Sequence, residues 1–273
     1  MTNFAYSAGI PKTLGEALAS AINSFQSLII LPPYVFSNGA VYYGQWNSQT
    51  GKRDGIGLQL WIDGFRYEGH WVEGRINGRG RMIHPDGDMY EGQWRHGKAY
   101  GKGVYLSANG ARYEGDWVKD KQQGFGKEEF IDGSSYEGQY LSGQKEGRGR
   151  FVWADGSYYE GQFHENCIEG KGHYSWSDGR QYDGEWRANM MEGRGVFRFK
   201  DGRMYEGEYK GDKKHGWGIF TWADGQSYNG GWFEGKQHGK GLLRLQNGEE
   251  RYGLWEQGKR TKWLTDAQYK AKK

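Results

Sequence analysis

Side chains that commonly perform catalysis or bind metal ions are few in this sequence, and they do not cluster. Its 273 residues include seven histidines and one cysteine, Cys167. No two histidines have the spacing of a metal-binding motif. His215 and His238 are separated by one period of a repeat (238 − 215 = 23), which marks them as equivalent positions of it. Catalysis requires different groups that converge on one place, so we predict a non-enzymatic protein with no catalytic residues, no metal site and no cofactor.

Glycines alternate with basic residues in several places, as in Gly193-Arg194-Gly195. A phosphate-binding loop joins a strand to a helix, whereas these glycines fall within predicted strands, so we reject that interpretation. The basic residues could bind an acidic filament or phosphoinositides, or they could pair across strands with a row of glutamates. The near balance of 37 basic and 34 acidic residues favours pairing, and a net charge of +3 gives no reason to expect a nucleic-acid partner. The basic row consists of Arg79, Lys102, Arg148, Lys171, Arg194 and Lys240, and the glutamate row of Glu68, Glu91, Glu114, Glu137, Glu160 and Glu206.

One sequence pattern recurs along most of the chain. The segment Tyr-Glu-Gly-Gln-Trp at 90–94 returns in related form at a constant period (113 − 90 = 23), with Gly-x-Gly after it and usually Asp-Gly or Asn-Gly before the next copy. The first copy, at Tyr42, precedes the second by two positions more than this period (67 − 42 = 25), and Arg251 replaces the tyrosine of the last. We predict nine units and a partial tenth over residues 37–260. The regularly spaced tyrosines are Tyr67, Tyr90, Tyr113, Tyr136, Tyr159, Tyr182, Tyr205 and Tyr228.

Each unit is predicted to be a pair of short strands, because residues i, i+2 and i+4 of Tyr-x-Gly-x-Trp share one face of a strand. The Pro85-Asp86-Gly87 step fits a three-residue loop, in which proline begins a type I turn and glycine takes the left-handed position. The same loop at 154–156 would place Phe151 opposite Tyr159, Gly149 opposite Gly161 and Gly147 opposite Phe163. A two-residue turn would instead oppose Tyr159 to Val152 and divide the aromatic residues between two faces.

With the three-residue loop, the aromatic residues share one face and cover strand glycines, which restores stability that glycine loses in a strand. We expect this aromatic face to bind partners. Its predicted contact residues are Trp46, Trp71, Trp94, Trp117, Tyr140, Phe163, Trp186, Tyr209 and Trp232. The predicted structural glycines are Gly101, Gly103, Gly147, Gly149, Gly193 and Gly195.

The composition agrees with this architecture, since 48 glycines and 16% aromatic residues exclude typical disorder, and four prolines exclude collagen. We predict an all-β fold: an elongated, single-layer, twisted antiparallel sheet of repeated β-hairpins, with a short N-terminal helix. A single layer cannot bury its own aromatic face against a second one. Curvature, a terminal helix, a second copy or a partner must therefore cover part of it.

The two ends of the chain differ from the repeats. In residues 1–36, a capping box at Thr13–Glu16 precedes apolar residues at helical spacing from Leu14 to Leu28. This amphipathic helix could cap the sheet, as repeat arrays require, or attach to a partner or a membrane. Residues 261–273 form a basic tail that is either a short helix capped by Thr265 or a solvated segment.

The repeated Tyr-Glu-Gly-x-Trp, Gly-x-Gly and Asp-Gly signatures resemble the MORN repeat over about Gly39–Trp255. Tyr140, Phe163 and Tyr209 depart from its tryptophan. The resemblance implies a scaffold that binds other proteins, and the nearly unbroken array is most similar to ciliate and axonemal members such as radial-spoke head proteins. We therefore expect a cytoplasmic, cytoskeleton-associated protein of the cilium axoneme, with other axonemal proteins or a second copy as partners. The alternative is a peripheral membrane adaptor that binds acidic phospholipids. One cysteine, with no signal peptide or membrane-spanning segment, agrees with an intracellular location.

Overall fold

The computed structural model describes residues 27–270, which fall into two compact units that divide after Gly124. The first unit contains β1 (Leu28–Ile30), β2 (Tyr34–Val35), β3 (Val41–Asn47), β4 (Arg53–Leu60), β5 (Arg66–Val72), β6 (Arg75–Ile83), β7 (Met89–Arg95), β8 (Lys98–Leu106) and β9 (Arg112–Val118). The division falls within β10 (Lys121–Glu129). The second unit contains β11 (Ser135–Leu141), β12 (Gln144–Val152), β13 (Tyr158–His164), β14 (Cys167–Ser175), β15 (Gln181–Arg187), β16 (Met190–Arg198), β17 (Met204–Lys210), β18 (Lys213–Thr221), β19 (Ser227–Phe233), β20 (Lys236–Arg244), β21 (Glu250–Glu256), β22 (Lys259–Leu264) and a short helix, α1 (Asp266–Lys270).

Within each unit, strands that follow one another in sequence lie side by side and antiparallel. In the first unit this holds from β3 to β9, and β1 and β2 both pair with β3. In the second unit it holds from β11 to β22. Among the described residues, no pairing closes either unit on itself. The predicted all-β antiparallel sheet of hairpins is confirmed. The tenth unit contributes β21 and β22, of which β22 is shorter than the second strand of the preceding repeat.

The predicted three-residue loop is confirmed at 154–156. Trp153 N donates to Ser157 O at 2.9 Å, and Gly156 N donates to Trp153 O at 2.9 Å. Gly156 has φ +84°, a left-handed conformation that glycine adopts without a steric penalty. The strand register contains the three predicted pairs: Phe151 with Tyr159, Gly149 with Gly161, and Gly147 with Phe163.

A second kind of turn, which the sequence did not lead us to expect, joins the two strands of every repeat except the first, where Gly51 alone has a positive φ. It has two residues of positive φ, as in the type I′ turn, whose twist matches that of paired strands. Between β15 and β16, Ala188 has φ +48° and Asn189 has φ +66°. Asn189 N also donates to Ile168 O of the preceding repeat at 3.0 Å, and Asn189 Oδ1 accepts from Ile168 N at 2.7 Å. The same two bonds join Asp120 to Ala99, Asn166 to Lys145, and Asp212 to Met191.

Replacing Asn189 by Ala should lower the free energy of unfolding by about 2 kcal/mol. Alanine is disfavoured in the left-handed conformation by about 1–2 kcal/mol, whereas asparagine and glycine adopt it more readily, and the lost hydrogen bond contributes about 1 kcal/mol. Asn189→Gly removes only the bond, so its loss should be about half as large. Urea unfolding of both variants measures the difference, and equal losses would contradict a conformational contribution from this turn.

At the N-terminal end of the described residues, the structure corrects the predicted helix. Leu28, which was assigned to the end of that helix, begins strand β1 and pairs with Asn47 of β3. Strand pairing satisfies the backbone of this segment and covers the free edge of β3. The rest of the predicted helix, from Leu14 to Phe25, lies outside the described residues.

At the C-terminal end, residues 261–264 belong to β22 rather than to the predicted tail. Thr265 follows as the cap of α1. Gln268 N donates to Thr265 Oγ1 at 3.3 Å, and Thr265 N donates to Gln268 Oε1 at 3.1 Å, which is a reciprocal capping box. The helical alternative is therefore the one observed up to Lys270.

Candidate partner-binding site

The repeated tyrosine lies flat over two glycines that face each other across its hairpin. In the hairpin of β11 and β12, Gly138 pairs with Gly149. A Cβ atom on Gly149 would stand 2.6 Å from Cζ of Tyr136, so only glycine leaves room for the ring. The Tyr136 hydroxyl donates to Gln139 O at 3.0 Å. Burial raises the pKa of the Tyr136 phenol because ionisation would place a charge where water cannot hydrate it.

The same arrangement occurs in nine repeats. Each tyrosine hydroxyl donates to the carbonyl oxygen three residues later, at 2.9–3.2 Å, and each tyrosine is 0–4% exposed. These tyrosines are Tyr42, Tyr67, Tyr90, Tyr113, Tyr136, Tyr159, Tyr182, Tyr205 and Tyr228. The rings are thus buried against the backbone of their own hairpins, which is how each unit forms a core.

The ring at the tryptophan position packs edge-to-face between two tyrosines. The Trp94 ring centroid lies 4.9 Å from that of Tyr90 in its own repeat and 5.6 Å from that of Tyr67 in the preceding one. Trp94 Nε1 also donates to Gly80 O of the preceding repeat at 2.9 Å. Edge-to-face pairs stabilise by about 0.5–1.5 kcal/mol beyond their burial. The tryptophan therefore holds neighbouring repeats together.

The nine aromatic residues that we expected to contact a partner are only 2–9% exposed within the chain itself. A partner can reach at most their edges, so most of the surface available for binding must come from other residues. The nine residues are Trp46, Trp71, Trp94, Trp117, Tyr140, Phe163, Trp186, Tyr209 and Trp232.

The two glycines of each Gly-x-Gly have different roles. Gly147 has φ +66° and lies in a bulge, where Gln139 alone opposes residues 146–148. The bulge leaves the Arg148 amide without a ladder partner, and this amide donates to Gln139 Oε1 at 2.9 Å. The second glycine, Gly149, lies under the tyrosine ring. Of the predicted structural glycines, Gly101, Gly147 and Gly193 have left-handed φ values, and Gly103, Gly149 and Gly195 lie under tyrosines.

A second row of aromatic residues, which we call the aromatic ladder, is partly exposed in the second unit. It lies beside the buried tyrosines, toward the Asp-Gly loops, as the pairing of Phe151 with Tyr159 shows. Neighbouring ring centroids within the ladder are 4.3–6.2 Å apart. The ladder consists of Phe130, Phe151, Trp153, Tyr174, Trp176, Phe197, Phe199, Phe220 and Trp222. All of these except Phe197 and Phe220 are partly exposed. The sequence signal is a pair of aromatic residues two positions apart, which follows Gly-x-Gly in four successive repeats, as at Phe151 and Trp153.

The predicted pairing between the basic row and the glutamate row is wrong. Each basic residue lies opposite the fourth residue of the Tyr-x-Gly-x-Trp segment of the next repeat. Lys171 thus faces Glu185, and Arg194 faces Glu208. Lys102 forms an ion pair with Asp116 of that position at 2.8 Å. Two members of the glutamate row instead pair with arginines of their own strands, Glu68 with Arg66 and Glu114 with Arg112. Exposed pairs of this kind contribute little to stability.

In the described part of the chain, no three or more His, Cys, Asp or Glu side chains form a cluster that could hold a metal ion. Over residues 27–270, no helix is both long and apolar enough to cross a membrane.

Hairpins that share their core residues with the neighbouring hairpins define an open β-repeat protein. The model of the MORN repeat matches residues 67–89, 90–112, 113–135, 136–158, 159–179, 182–202, 205–227 and 228–250, which is more than half of the chain. The chain belongs to the MORN-repeat family.

Comparison with curated proteins gives no match to this sequence. Among solved structures, the chain is similar to the TCP10 domain of CPAP from Danio rerio, with 13% identity, a TM-score of 0.41, and coverage of 85% of this chain and 99% of that one. It is also similar to the TCP domain of SAS-4 (dCPAP) from Drosophila melanogaster, solved with a proline-rich motif of Ana2 (dSTIL). That match has 11% identity, a TM-score of 0.35, and coverage of 75% and 96%.

Proposed function

We propose that this chain is a non-enzymatic protein-interaction scaffold of a cytoskeletal assembly and that the aromatic ladder is its binding surface. The observation that supports this proposal is the ladder itself, a continuous series of rings along one face of the second unit. Partly exposed, contiguous apolar surface of this kind is typical of interaction sites. The assembly that we propose is a ciliary axoneme, in a radial spoke or similar complex, because the nearly unbroken array of equal units resembles axonemal MORN proteins.

The spacing of the ladder fits an extended polypeptide laid across the strands. Neighbouring strands are about 4.8 Å apart, so a repeat of two strands advances by about 9.6 Å. A polyproline II segment rises about 3.1 Å per residue, so three residues advance by about 9.3 Å. Such a segment would present an equivalent residue to each repeat, and it loses little entropy when it docks in an aromatic groove. The partner that we propose therefore has an extended segment with an apolar residue at every third position.

The alternative function, a peripheral membrane adaptor, is supported by the exposed basic row. Arg148, Lys171 and Arg194 are all exposed and come from successive repeats. Attraction of such residues to acidic phospholipids is electrostatic, so it should weaken steeply as salt increases. Contacts through the ladder bury apolar surface and should persist in moderate salt. Salt dependence therefore separates the two functions.

Replacing Trp153 and Trp176 together by Ser should reduce retention on isolated, demembranated axonemes at least tenfold. Ser is compatible with this position of the repeat, because Ser107 occupies it in the first unit. The measurement is co-sedimentation with axonemes in moderate salt, with circular dichroism to verify folding. The matched control replaces Arg148, Lys171 and Arg194 by Gln and should retain binding. Unchanged retention of the Trp153/Trp176 variant, with salt-sensitive binding to phosphoinositide vesicles that the control variant loses, would favour the membrane adaptor.

A further inference from the structure

Two tyrosine–lysine pairs occupy the same repeat position in the second unit. Tyr140 pairs with Lys145 across β11 and β12, and Tyr209 pairs with Lys214 across β17 and β18. The two pairs are separated by three periods of the repeat (209 − 140 = 214 − 145 = 3 × 23). Four other repeats place an apolar residue where these lysines stand, for example Met191, and the repeat of β19 and β20 places Gln237 there. The two lysines are thus departures from the repeat at one defined place.

The first pair binds a carboxylate within the chain. Tyr140 Oη donates to Glu128 Oε2 at 2.9 Å, and Lys145 Nζ donates to the same oxygen at 3.0 Å. The side chains of Lys145 and Glu128 are 16% and 21% exposed, so the ion pair is largely shielded from water. Hydrogen bonds between charged groups are stronger than neutral ones, and more so away from water. The Tyr140–Lys145 pair therefore shows that a tyrosine and a lysine in this arrangement can bind a carboxylate.

The two lysines share equivalent aromatic neighbours, although Lys214 Nζ also lies 4.9 Å from the ring centroid of Trp232. Lys145 Nζ lies 5.1 Å from the ring centroids of both Phe130 and Tyr136. Lys214 Nζ lies 5.7 Å from the equivalent Phe199 and 5.2 Å from the equivalent Tyr205. Such cation–π contacts orient the ammonium group without neutralising it. The two sites therefore match in their rings as well as in the tyrosine–lysine pair.

The sites differ in the carboxylate. Glu128 is replaced three repeats later by Phe197 (197 − 128 = 69), a ladder residue. Within residues 27–270, neither Tyr209 Oη nor Lys214 Nζ has a hydrogen-bond or ion-pair partner. Burial, together with the positive charge of Arg203, lowers the pKa of the Lys214 ammonium to about 8. A partly buried charge without a counter-charge is costly, and an incoming carboxylate would offset that cost.

We propose that Tyr209 and Lys214 form a binding site for a carboxylate of the partner segment that lies on the aromatic ladder. Phe199 and Phe220, whose rings lie 5.7 Å and 4.4 Å from Lys214 Nζ, are both ladder residues, so the carboxylate site opens onto the same surface. The partner is therefore an extended segment with an aspartate, glutamate or chain-terminal carboxylate beside its apolar residues. That the carboxylate belongs to a segment docked on the ladder rests on the proposed function. That the Tyr209–Lys214 pair binds a carboxylate does not.

Sodium acetate tests the pair alone. In ¹³C-lysine NMR of the whole chain, with Lys214 assigned through Lys214→Met, the Lys214 pKa should rise from about 8 to about 9 or above in saturating acetate, because a nearby anion favours the charged form. Sodium chloride of equal ionic strength should not reproduce the rise. Tyr209→Phe should weaken acetate binding several-fold by removing one donor. Absence of a saturable response to acetate, or an equal response to chloride, would overturn the proposal.

Removing the internal carboxylate from the first site, that of Tyr140 and Lys145, provides a second, independent test. Glu128→Phe introduces the residue that the repeat has at Phe151 and Phe197, so the backbone should accept it. This variant should show a second lysine resonance, that of Lys145, which responds to acetate. A folded variant with no new responsive lysine would show that a tyrosine–lysine pair in this position does not bind carboxylates.

A proline-rich peptide with one central glutamate then tests the docked segment, with the glutamine peptide as its control. The glutamate peptide should bind at least tenfold more tightly, and Lys214→Met should abolish the difference while leaving the glutamine peptide unaffected. Equal binding of both peptides would overturn the carboxylate site. Failure of both peptides, with the acetate response intact, would contradict the proposed extended partner but not the site.

Discussion

Replacing Gly149 by Val should lower the free energy of unfolding by about 3–5 kcal/mol, comparable to the removal of a buried aromatic side chain. Gly149 has no left-handed φ, so valine, a good strand former, would be favoured by backbone preference alone. Its Cβ, however, would stand 2.6 Å from ring atoms of Tyr136, which must then leave the glycine pair. Tyr136 also contacts Tyr140 and Phe163 at ring distances of 5.2 Å and 5.1 Å, so its displacement would disrupt two repeats.

Arg148→Val is the matched control, because Arg148 is the preceding residue and its side chain is exposed on the opposite face of the strand. The hydrogen bond from the Arg148 backbone amide to the Gln139 side chain does not involve the side chain of residue 148, so it should persist. We expect a change within about 0.5 kcal/mol, as for ordinary surface substitutions. Urea unfolding of both variants gives the comparison. Similar losses at the two positions would show that the tyrosine does not depend on the glycine beneath it.

The repeat made much of this fold predictable from the sequence. Because each signature recurs at a constant period, one correct loop at 154–156 determines the register of every similar hairpin. The Pro85-Asp86-Gly87 step was informative because proline and glycine restrict φ in different ways. The resulting pairs, such as Phe151 with Tyr159, agree with the structure.

The packing of the aromatic rings could not be predicted in the same way. Period-2 geometry places Tyr136 and Gly138 on one face of the strand. It does not show that the Tyr136 ring lies flat along its own strand, with its hydroxyl at the Gln139 carbonyl. We therefore expected an aromatic face that needed a cover, whereas the rings bury one another and the backbone. The tryptophans are consequently core residues, and the partly exposed ladder beside them is the candidate surface.

The type I′ turns and the bulges were also missed, for a reason that lies in the residues themselves. The turn residues vary, as in Ala188-Asn189 and Ser142-Gly143, so no fixed dipeptide marks them as Asp-Gly marks the other loops. The bulge at Gly147 appears in the sequence only as the first glycine of Gly-x-Gly, which equally suits a regular strand. The Tyr209–Lys214 pair was beyond sequence reasoning, because its meaning depends on which cross-strand residues lack a partner.

Deleting a whole repeat should leave a folded protein. Residues 159–181 are one period (181 − 159 + 1 = 23), and their removal joins Tyr158 to Tyr182 in the order that the repeat requires. The lateral bonds can be rebuilt, because Asn189 can take the place of Asn166 opposite Lys145. In a linear array, stability is approximately a sum over repeats and their interfaces. We expect a cooperative transition with a moderately lower midpoint and an unchanged far-ultraviolet circular dichroism signal per residue.

Deleting residues 159–169 instead removes less than half of a period and should abolish folding of the second unit. The junction would place Gly170 directly after Tyr158, so β13 and the following type I′ turn would be lost. Trp186 would then lose Tyr159, the tyrosine of the preceding repeat against which it packs at a ring distance of 5.6 Å. Calorimetry of the two shortened chains compares them directly. If both unfolded alike, the repeats would depend on a single cooperative core rather than on their neighbours, and the scaffold could not be shortened by any whole number of units.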